Sequence, residues 1–116
     1  MFYMFLICYD PAVPLGPNDP PTLQPQHAAL GEQLRSEGRH VSGGALVPDE
    51  AAPVVRVQGN RPYSIDGPFA ETKEVLGGFY VVECKDAADA EAVARRIPVA
   101  SNAWVQIRQL FLHNKG

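Results

Sequence analysis

The sequence predicts a single α+β domain over residues 1–116, with a ferredoxin-like βαββαβ order and a hairpin inserted in the middle. Three observations support this prediction. The chain has 116 residues, which is the length of one domain. Its apolar segments divide into short strand patterns and two helical patterns. Its 11 prolines and 10 glycines separate these segments from one another.

The first strand and the loop that follows it have the clearest local patterns. Residues 2–9 are apolar on both alternating faces, which is typical of a central strand covered on both sides. The stretch 10–25 is rich in proline. Because proline cannot donate to a β-ladder or continue a helix, this stretch is predicted to be an extended loop.

Two helices are predicted. The first covers residues 25–37 and ends at Gly38, and its apolar stripe carries Leu30 and Leu34 with His27 one turn earlier. Asp86 is expected to cap the second helix, which Pro98 stops. The predicted buried stripe of this second helix consists of Ala87, Ala90, Val93, Ala94 and Ile97.

The remaining segments are predicted strands. They cover residues 40–46, 53–57, 62–65, 78–84 and 104–112, and Gln58-Gly59-Asn60 is a predicted hairpin turn. Two helices can cover only one face of the resulting sheet. The other face still carries apolar side chains, including Trp104 and Leu110. We therefore expect a second copy to pack sheet to sheet, which gives a homodimer with a dimeric α/β barrel.

Composition excludes several classes of protein. The formal net charge is -3 and the basic residues are scattered, which argues against direct nucleic-acid binding. No apolar run approaches the roughly 18 residues that span a bilayer. The N-terminus lacks the pattern of a signal peptide, so a cytoplasmic protein is expected. Cys8 and Cys84 are expected to be buried free thiols, with a disulfide as the alternative.

His27 is the first candidate for chemistry. It lies in the opening turn of a predicted helix, where the helix macrodipole disfavours the charged ring. A neutral imidazole beside a cleft can act as a general base. The alternative is a core histidine that is hydrogen-bonded to a backbone carbonyl.

The loop 66–74 is the second candidate. Turn chemistry alone explains an aspartate at its start, at Asp66. It does not explain Phe69, Thr72 and Lys73, which place an apolar, a hydroxyl and a cationic group together. Such a loop can close over a small anionic or polar ligand.

Arg108 is the third candidate, because it lies on an otherwise apolar strand face and needs an anionic partner. That partner is either a ligand or a carboxylate of the protein, and a rim position is the other alternative. No metal or cofactor is expected, since zinc-ligand spacing and phosphate-binding glycine motifs are absent from the sequence. His40 and His113 are expected at the surface, and Tyr80 is expected to be a packing residue.

The string DGPFAETKE at residues 66–74, followed by LGGFY at residues 76–80, resembles the signature of the DGPF group of YCII-related proteins. The wider pattern agrees over residues 1–108. The resemblance implies a ferredoxin-like subunit that dimerises as an α/β barrel. Two segments depart from the family, namely the proline-rich loop at 10–25 and a C-terminal extension at 109–116.

The resemblance also implies a site and two alternative roles. In the broader YciI-like group, a histidine early in the first helix and a nearby aspartate form the proposed active-site pair, which corresponds here to His27 and Asp66. Arg108, Phe69 and Thr72 would then bind the ligand. Relatives that are dehydrochlorinases or resemble muconolactone isomerases imply lyase or isomerase-like proton transfer. The association of DGPF proteins with extracytoplasmic-function sigma factors implies instead a non-catalytic accessory or regulatory module.

Overall fold

A computed structural model describes residues 1–48, 52–66 and 74–111. The helices in these ranges are α1 (Gln24–Ser36) and α2 (Ala87–Ala94). The strands are β1 (Phe2–Tyr9), β2 (His40–Ala45), β3 (Pro53–Gln58), β4 (Arg61–Asp66), β5 (Val75–Glu83) and β6 (Ala103–Leu110). No helix in the described ranges has both the length and the apolar character needed to cross a bilayer.

Four of the strands form the main sheet, in the order β2-β5-β1-β6, and all neighbours in it are antiparallel. This order is compatible with the predicted ferredoxin-like fold. Strands β3 and β4 form a separate hairpin whose turn is Gly59 and Asn60. Gly59 has a φ of 63°, which the tight turn requires and glycine tolerates. The predicted α+β class and the inserted hairpin are therefore confirmed, whereas the pairing of two copies stays a prediction.

The core lies between the two helices and one face of the main sheet, which we call the covered face. Leu34 of α1 and Val93 of α2 are fully buried against it, as are Phe5 of β1 and Val82 of β5. Phe5 pairs with Tyr80 in the sheet, and both side chains belong to this core. The alternate residues of the same strands point to the opposite side of the sheet.

Helix α1 agrees with its prediction to within one residue at each end. Pro25 lies in its first turn, where a missing N–H group costs nothing. The helix ends before Gly38, whose φ of 71° reverses the chain. The N–H groups of Gly38 and Arg39 donate to the carbonyls of Arg35 and Leu34, each at 2.9 Å. Glycine is needed at this end because other residues adopt a positive φ only at a cost.

Helix α2 is shorter than predicted. Its start is confirmed, because an Asp86 side-chain oxygen accepts a hydrogen bond from the Asp89 N–H at 2.8 Å. The helix ends at Ala94 and not at Pro98, and the chain continues in a turn. Ile97 remains buried in that turn, whereas Ala87 is exposed. The predicted stripe is therefore wrong at Ala87, since this short helix buries only its Ala90 and Val93 positions.

The last strand also ends earlier than predicted. Phe2, the first residue of β1, pairs with Leu110, so no residue of β1 lies opposite the chain beyond that point. Phe111, which lies within the predicted strand 104–112, follows the end of β6 and is 88% exposed. Most of the predicted C-terminal extension, residues 112–116, lies outside the described part of the chain. Neither Cys8 nor Cys84 forms a disulfide, so the expectation of free thiols is confirmed. Cys84 is buried as expected, whereas Cys8 is only half-buried.

The proline-rich stretch forms no helix or strand before α1, as predicted. Hydrogen bonds fix it to the turn that precedes β6. The Asp19 carboxylate accepts from the Ser101 N–H at 3.0 Å, from the Ser101 hydroxyl and from the Gly16 N–H. The Asn102 side chain donates to the Val13 carbonyl at 3.1 Å. The bonds from Ser101 and Gly16 lower the pKa of Asp19, so the carboxylate is charged at neutral pH.

Candidate functional site

A cleft of about 390 Å³ lies between α1 and the β2–β5 side of the main sheet. Such a volume is at the small end of the range for small-molecule sites, about 300–1,000 Å³. Four titratable side chains line the cleft in the described ranges. They are His27 and Arg35 from α1, His40 from β2 and Tyr80 from β5.

Glycines provide the space in the cleft. Gly43 and Gly78 line it from the sheet, and Gly31 lines it from α1. A Cβ atom at Gly78 would lie 2.8 Å from the Gly44 carbonyl oxygen, and one at Gly43 would lie 3.1 Å from the Phe79 carbonyl oxygen. The close approach of β2 to β5 therefore requires glycine at position 78 and leaves little room for a side chain at position 43. The missing side chains also leave room between the sheet and the helix.

The central contact of the cleft joins His27 to Tyr80. Nδ1 of His27 lies 2.7 Å from Oη of Tyr80, which is a short hydrogen bond. Tyr80 is only 7% exposed and is held by the core, so its hydroxyl has a fixed position. The same hydroxyl is 3.5 Å from the His27 carbonyl oxygen. No described residue forms a hydrogen bond to Nε2 of His27, so this nitrogen can meet a ligand.

Burial keeps both partners of this contact neutral. It lowers the pKa of His27 and raises the pKa of Tyr80, because the charged form of each side chain loses hydration. At neutral pH the imidazole therefore carries one ring proton and the phenol keeps its own. The result agrees with the sequence prediction of a neutral His27, although burial and not the helix macrodipole is the cause identified in the structure.

Two placements of these protons satisfy the contact. In one, the Tyr80 hydroxyl donates to Nδ1 and the ring proton is on Nε2. In the other, Nδ1–H donates to the Tyr80 oxygen and the hydroxyl turns toward the His27 carbonyl. The second placement leaves a lone pair on Nε2, which is the state of a general base. The first presents an N–H donor, so the same pair can also return a proton.

His40 is half-buried and lines the cleft, so its expected surface position is wrong. It pairs with Val82, a core residue, and its side chain therefore lies on the covered face. Its ring meets the Tyr80 ring edge-on, with centroids 6.4 Å apart and planes at 83°. The sequence of β2 contains two glycines and a serine, and it shows no alternation from which this orientation could be predicted.

Arg35 was not singled out in the sequence. Its Nη2 donates to the Glu32 carboxylate at 2.9 Å, and its guanidinium lies beside Gly31. A usable signal was present, because residues 27, 31 and 35 are spaced by four and share one helix face. Tyr80 packs in the core as predicted, but its hydroxyl contact with His27 was missed. That contact joins residues 53 positions apart and has no local signature.

Among the predicted site residues, His27 lies in the cleft. Asp66 is the last residue of β4, where its backbone pairs with Pro53, and its side chain is not among the described groups. Phe69 and Thr72 lie outside the described residues. The pairing of His27 with Asp66 and the two loop contacts therefore stay predictions.

Arg108 lies on the other side of the main sheet from the cleft. It is exposed on β6 opposite Met4, whereas the neighbouring Ile107 packs against the core. The structure gives it no ion pair with any described carboxylate. Arg108 therefore lies on the strand face predicted for it, and its expected role in binding an anion stays a prediction.

A second polar cluster lies where α1 ends and β2 begins. Arg39 binds Asp89 at 2.8 Å and Glu37 at 3.3 Å, and Arg96 binds Glu37 at 2.9 Å. These ion pairs join the end of α1 to α2. Burial raises the pKa of the adjacent Cys84 thiol, which disfavours the reactive thiolate. No group of three or more metal-ligating side chains occurs within residues 1–48, 52–66 and 74–111.

Comparison with known proteins gives two matches. The sequence model of the YCII-related domain family matches residues 1–113. An uncharacterized protein of Rhizobium meliloti (strain 1021) is 40% identical over 73 residues, which cover 61% of this chain and 59% of that protein. The chain thus matches less than two thirds of the relative's length. The YCII-related resemblance is confirmed, whereas membership of the DGPF group stays a prediction.

Proposed function

The chain belongs to the YCII-related domain family, and we propose that it binds a small molecule in the cleft under α1 and that His27 exchanges a proton with it. The observation that carries this proposal is the 2.7 Å contact between His27 Nδ1 and Tyr80 Oη at a cleft of about 390 Å³. A neutral imidazole with one nitrogen fixed and the other open has the geometry of an acid–base catalyst.

The proposed step is removal of a proton from carbon. Nε2 of His27 takes the proton, and the imidazolium that forms donates its Nδ1–H to Tyr80 Oη. The electron pair left on the ligand then either expels a leaving group or is protonated at another carbon by the imidazolium. The first outcome is an elimination and the second an isomerisation. Both correspond to the lyase or isomerase-like chemistry expected from the sequence.

Deuterium exchange tests this proposal without knowledge of the substrate. The protein is incubated in D₂O with a panel of small ketones, lactones and unsaturated acids, and exchange of their C–H groups is followed by proton NMR. We expect at least one compound to exchange with the wild-type protein, and exchange to fall to background with His27→Gln. Exchange that is unaffected by His27→Gln, or absent from the whole panel, contradicts the proposal.

Tyr80→Phe tests the positioning contact, and Tyr3→Phe is a matched control. Both tyrosines are buried on the covered face, but within the described part of the chain the hydrogen bond of the Tyr3 hydroxyl goes to the Met1 sulfur, at 3.8 Å, and not to the cleft. We expect Tyr80→Phe to lower exchange by up to about a hundredfold, which is the lower end of what general acid–base catalysis contributes. It should also move the ¹⁵N shifts of the His27 ring, which report the tautomer. Equal effects of the two variants would contradict the assignment.

Asp66, Phe69 and Thr72 remain part of the proposal as residues that complete the site: Asp66 would orient His27, and the two loop residues would line the ligand. Arg108 lies on the opposite face of the main sheet, so any anionic group that it binds would lie outside this cleft. Asp66 and Tyr80 would use the same ring nitrogen, because Nε2 must face the ligand. Asp66→Asn should therefore lower exchange only if the carboxylate takes the place of Tyr80 in the liganded protein.

We also propose that a second copy covers the face of the main sheet opposite the helices, which we call the open face. Several large apolar side chains lie there, and Trp104 is 36% exposed. Exposed apolar surface of this extent favours association. The open face is defined by Phe2, Met4, Leu6, Phe79, Trp104 and Leu110.

The alternative function is an accessory module for an extracytoplasmic-function sigma factor. The β3–β4 hairpin favours a protein partner, because its Val55 and Val57 are 67% and 69% exposed on one face. In that case Val55→Glu combined with Val57→Glu should abolish copurification with the sigma factor, and His27→Gln should not. If both variants still copurify with the sigma factor, this alternative is contradicted.

A further inference from the structure

We propose that the cleft selects a small carboxylate, which Arg35 holds by its anionic group while the reacting carbon lies against His27. This inference rests on the proposed function, because it takes His27 as the reacting group. It adds the chemical class of the ligand and the residue that recognises it. Neither follows from the contact between His27 and Tyr80.

The first step of the argument is the order of residues along α1. His27, Gly31 and Arg35 follow one another at intervals of four, so they form one stripe on the helix surface. All three line the cleft. The base and the cation therefore belong to the same wall of the cleft, with only a glycine between them.

The second step is the position of the Arg35 side chain. A Cβ atom built at Gly31 would lie 3.3 and 3.6 Å from the two terminal nitrogens of Arg35. The guanidinium thus occupies the space that a side chain at position 31 would fill. It reaches this place because helical side chains incline toward the N-terminus. His27 and Arg35 are two helical turns apart in the sequence. Because the guanidinium lies beside Gly31, its positive charge is only one turn from His27 along the helix axis, or ~5 Å.

The third step is the charge of the cleft wall. The titratable side chains that line it in the described ranges are two histidines, an arginine and a tyrosine, with no aspartate or glutamate. Glu32 binds Arg35 from outside this lining, and the two side chains are 78% and 52% exposed. An exposed pair of this kind is weak. The pair uses one of the five N–H groups of the guanidinium, which leaves others for a ligand.

The fourth step is the match between these groups and a carboxylate. Two planar oxygens fit the fork of a guanidinium and form two parallel hydrogen bonds. One cation balances one negative charge, so a singly charged ligand suits the site better than a phosphate dianion. The remaining lining is mostly glycine and alanine, together with Ile7, Gln24 and Phe79. A compact carboxylic acid with an apolar body therefore fits both the charge and the surface.

Paired probes test the inference directly. Benzoate and its neutral counterpart benzamide are titrated into ¹⁵N-labelled protein, and the backbone and imidazole signals of His27 are followed. We expect benzoate to shift these signals and to bind at least about tenfold more tightly than benzamide. We expect Arg35→Gln to remove this preference. Arg95→Gln is the control, because Arg95 is an exposed arginine outside the cleft and should leave it unchanged.

Gly31→Ala separates recognition from folding. Alanine favours a helix more than glycine does, so the variant should fold at least as well as the wild type. Its Cβ would displace the guanidinium, so benzoate affinity should fall by at least about threefold more than benzamide affinity does.

Equal affinities of the two probes, or a benzoate preference that survives Arg35→Gln, would overturn the carboxylate inference. Failure of both probes to shift the His27 signals would overturn it as well. The proposed proton transfer has its own readout in deuterium exchange. If exchange depends on His27 but not on Arg35 and is confined to neutral compounds, the carboxylate inference fails and the proposed function stands.

Discussion

The covered and open faces of the main sheet are built from the same strands but differ in burial. On the covered face, Phe5 and Val82 are fully buried under the helices. On the open face, the neighbouring Met4 is half-buried and Trp104 is 36% exposed. The difference arises because the two helices can cover only one face of the sheet. It teaches that the burial that stabilises a single copy lies on the covered face, whereas the open face is the one that we propose to be covered by a second copy.

The cleft lies on the covered face where helix coverage is incomplete. Glycines at positions 31, 43 and 78 carry no side chains that would fill the space between the helix and the sheet there. The core around Tyr80 continues to the wall of the cleft, so a rigid hydroxyl reaches His27. The candidate site and the hydrophobic core thus share one strand, β5.

Phe5→Ala gives the largest effect we expect on the covered face. Loss of a fully buried phenylalanine should lower the free energy of unfolding by about 3–5 kcal/mol, because it removes buried area and leaves a cavity. Met4→Ala, one residue away on the open face, is the control and should cost less than half as much in dilute protein. Urea denaturation measures both. Similar costs would mean that the two faces are equally buried in solution.

Trp104→Glu tests the open face. A charge placed in an apolar interface between two copies should raise the dissociation constant of self-association by at least about a hundredfold, or about 3 kcal/mol. Sedimentation equilibrium of the wild type and the variant measures this. Val55→Glu on the hairpin is the comparison and should have no such effect if the sheet face is the interface. A wild-type protein that stays monomeric at tens of micromolar would contradict the proposal.

Asp86→Ala should destabilise the protein, because it removes the N-cap of α2, one of the two helices that cover the sheet. The Asp86 side chain accepts from the Asp89 N–H at 2.8 Å, and loss of such a cap costs about 1 kcal/mol. Asp86→Asn keeps an acceptor oxygen and should cost much less. Thermal unfolding followed by circular dichroism compares the two variants. Equal losses would mean that the charge of Asp86, and not its hydrogen bond, is what matters.

The smallest expected effect is a pH dependence from His27. Its folded pKa is lowered below the usual 6.5, so the unfolded chain binds the proton first as the pH falls. The stability that burial of the neutral ring provides is complete above about pH 6.5 and is lost as the pH falls through the folded pKa. Denaturation midpoints between about pH 7.5 and 5 should therefore fall more steeply for the wild type than for His27→Gln. Parallel curves would contradict this.

The local features of the fold could be predicted from the sequence because each depends on neighbouring residues. β1 was predicted with its observed bounds, Phe2–Tyr9, since an apolar run is followed at once by prolines. The hairpin turn at Gly59 and the cap at Asp86 followed from turn and capping chemistry. The predicted end of the last strand, at residue 112, was wrong because pairing decides where a strand ends: Leu110 pairs with Phe2, and β1 has no further residue to pair with β6.

The sequence by itself determined the α+β class, the family and the position of His27 early in α1. Only the tertiary structure decided what His27 contacts. The strand order brings Tyr80 under α1 from 53 residues away, and the pairing of β2 with β5 turns His40 into the same cleft. Such contacts depend on strand order, register and a core that fixes each side chain. Local propensity and periodicity carry no information about them.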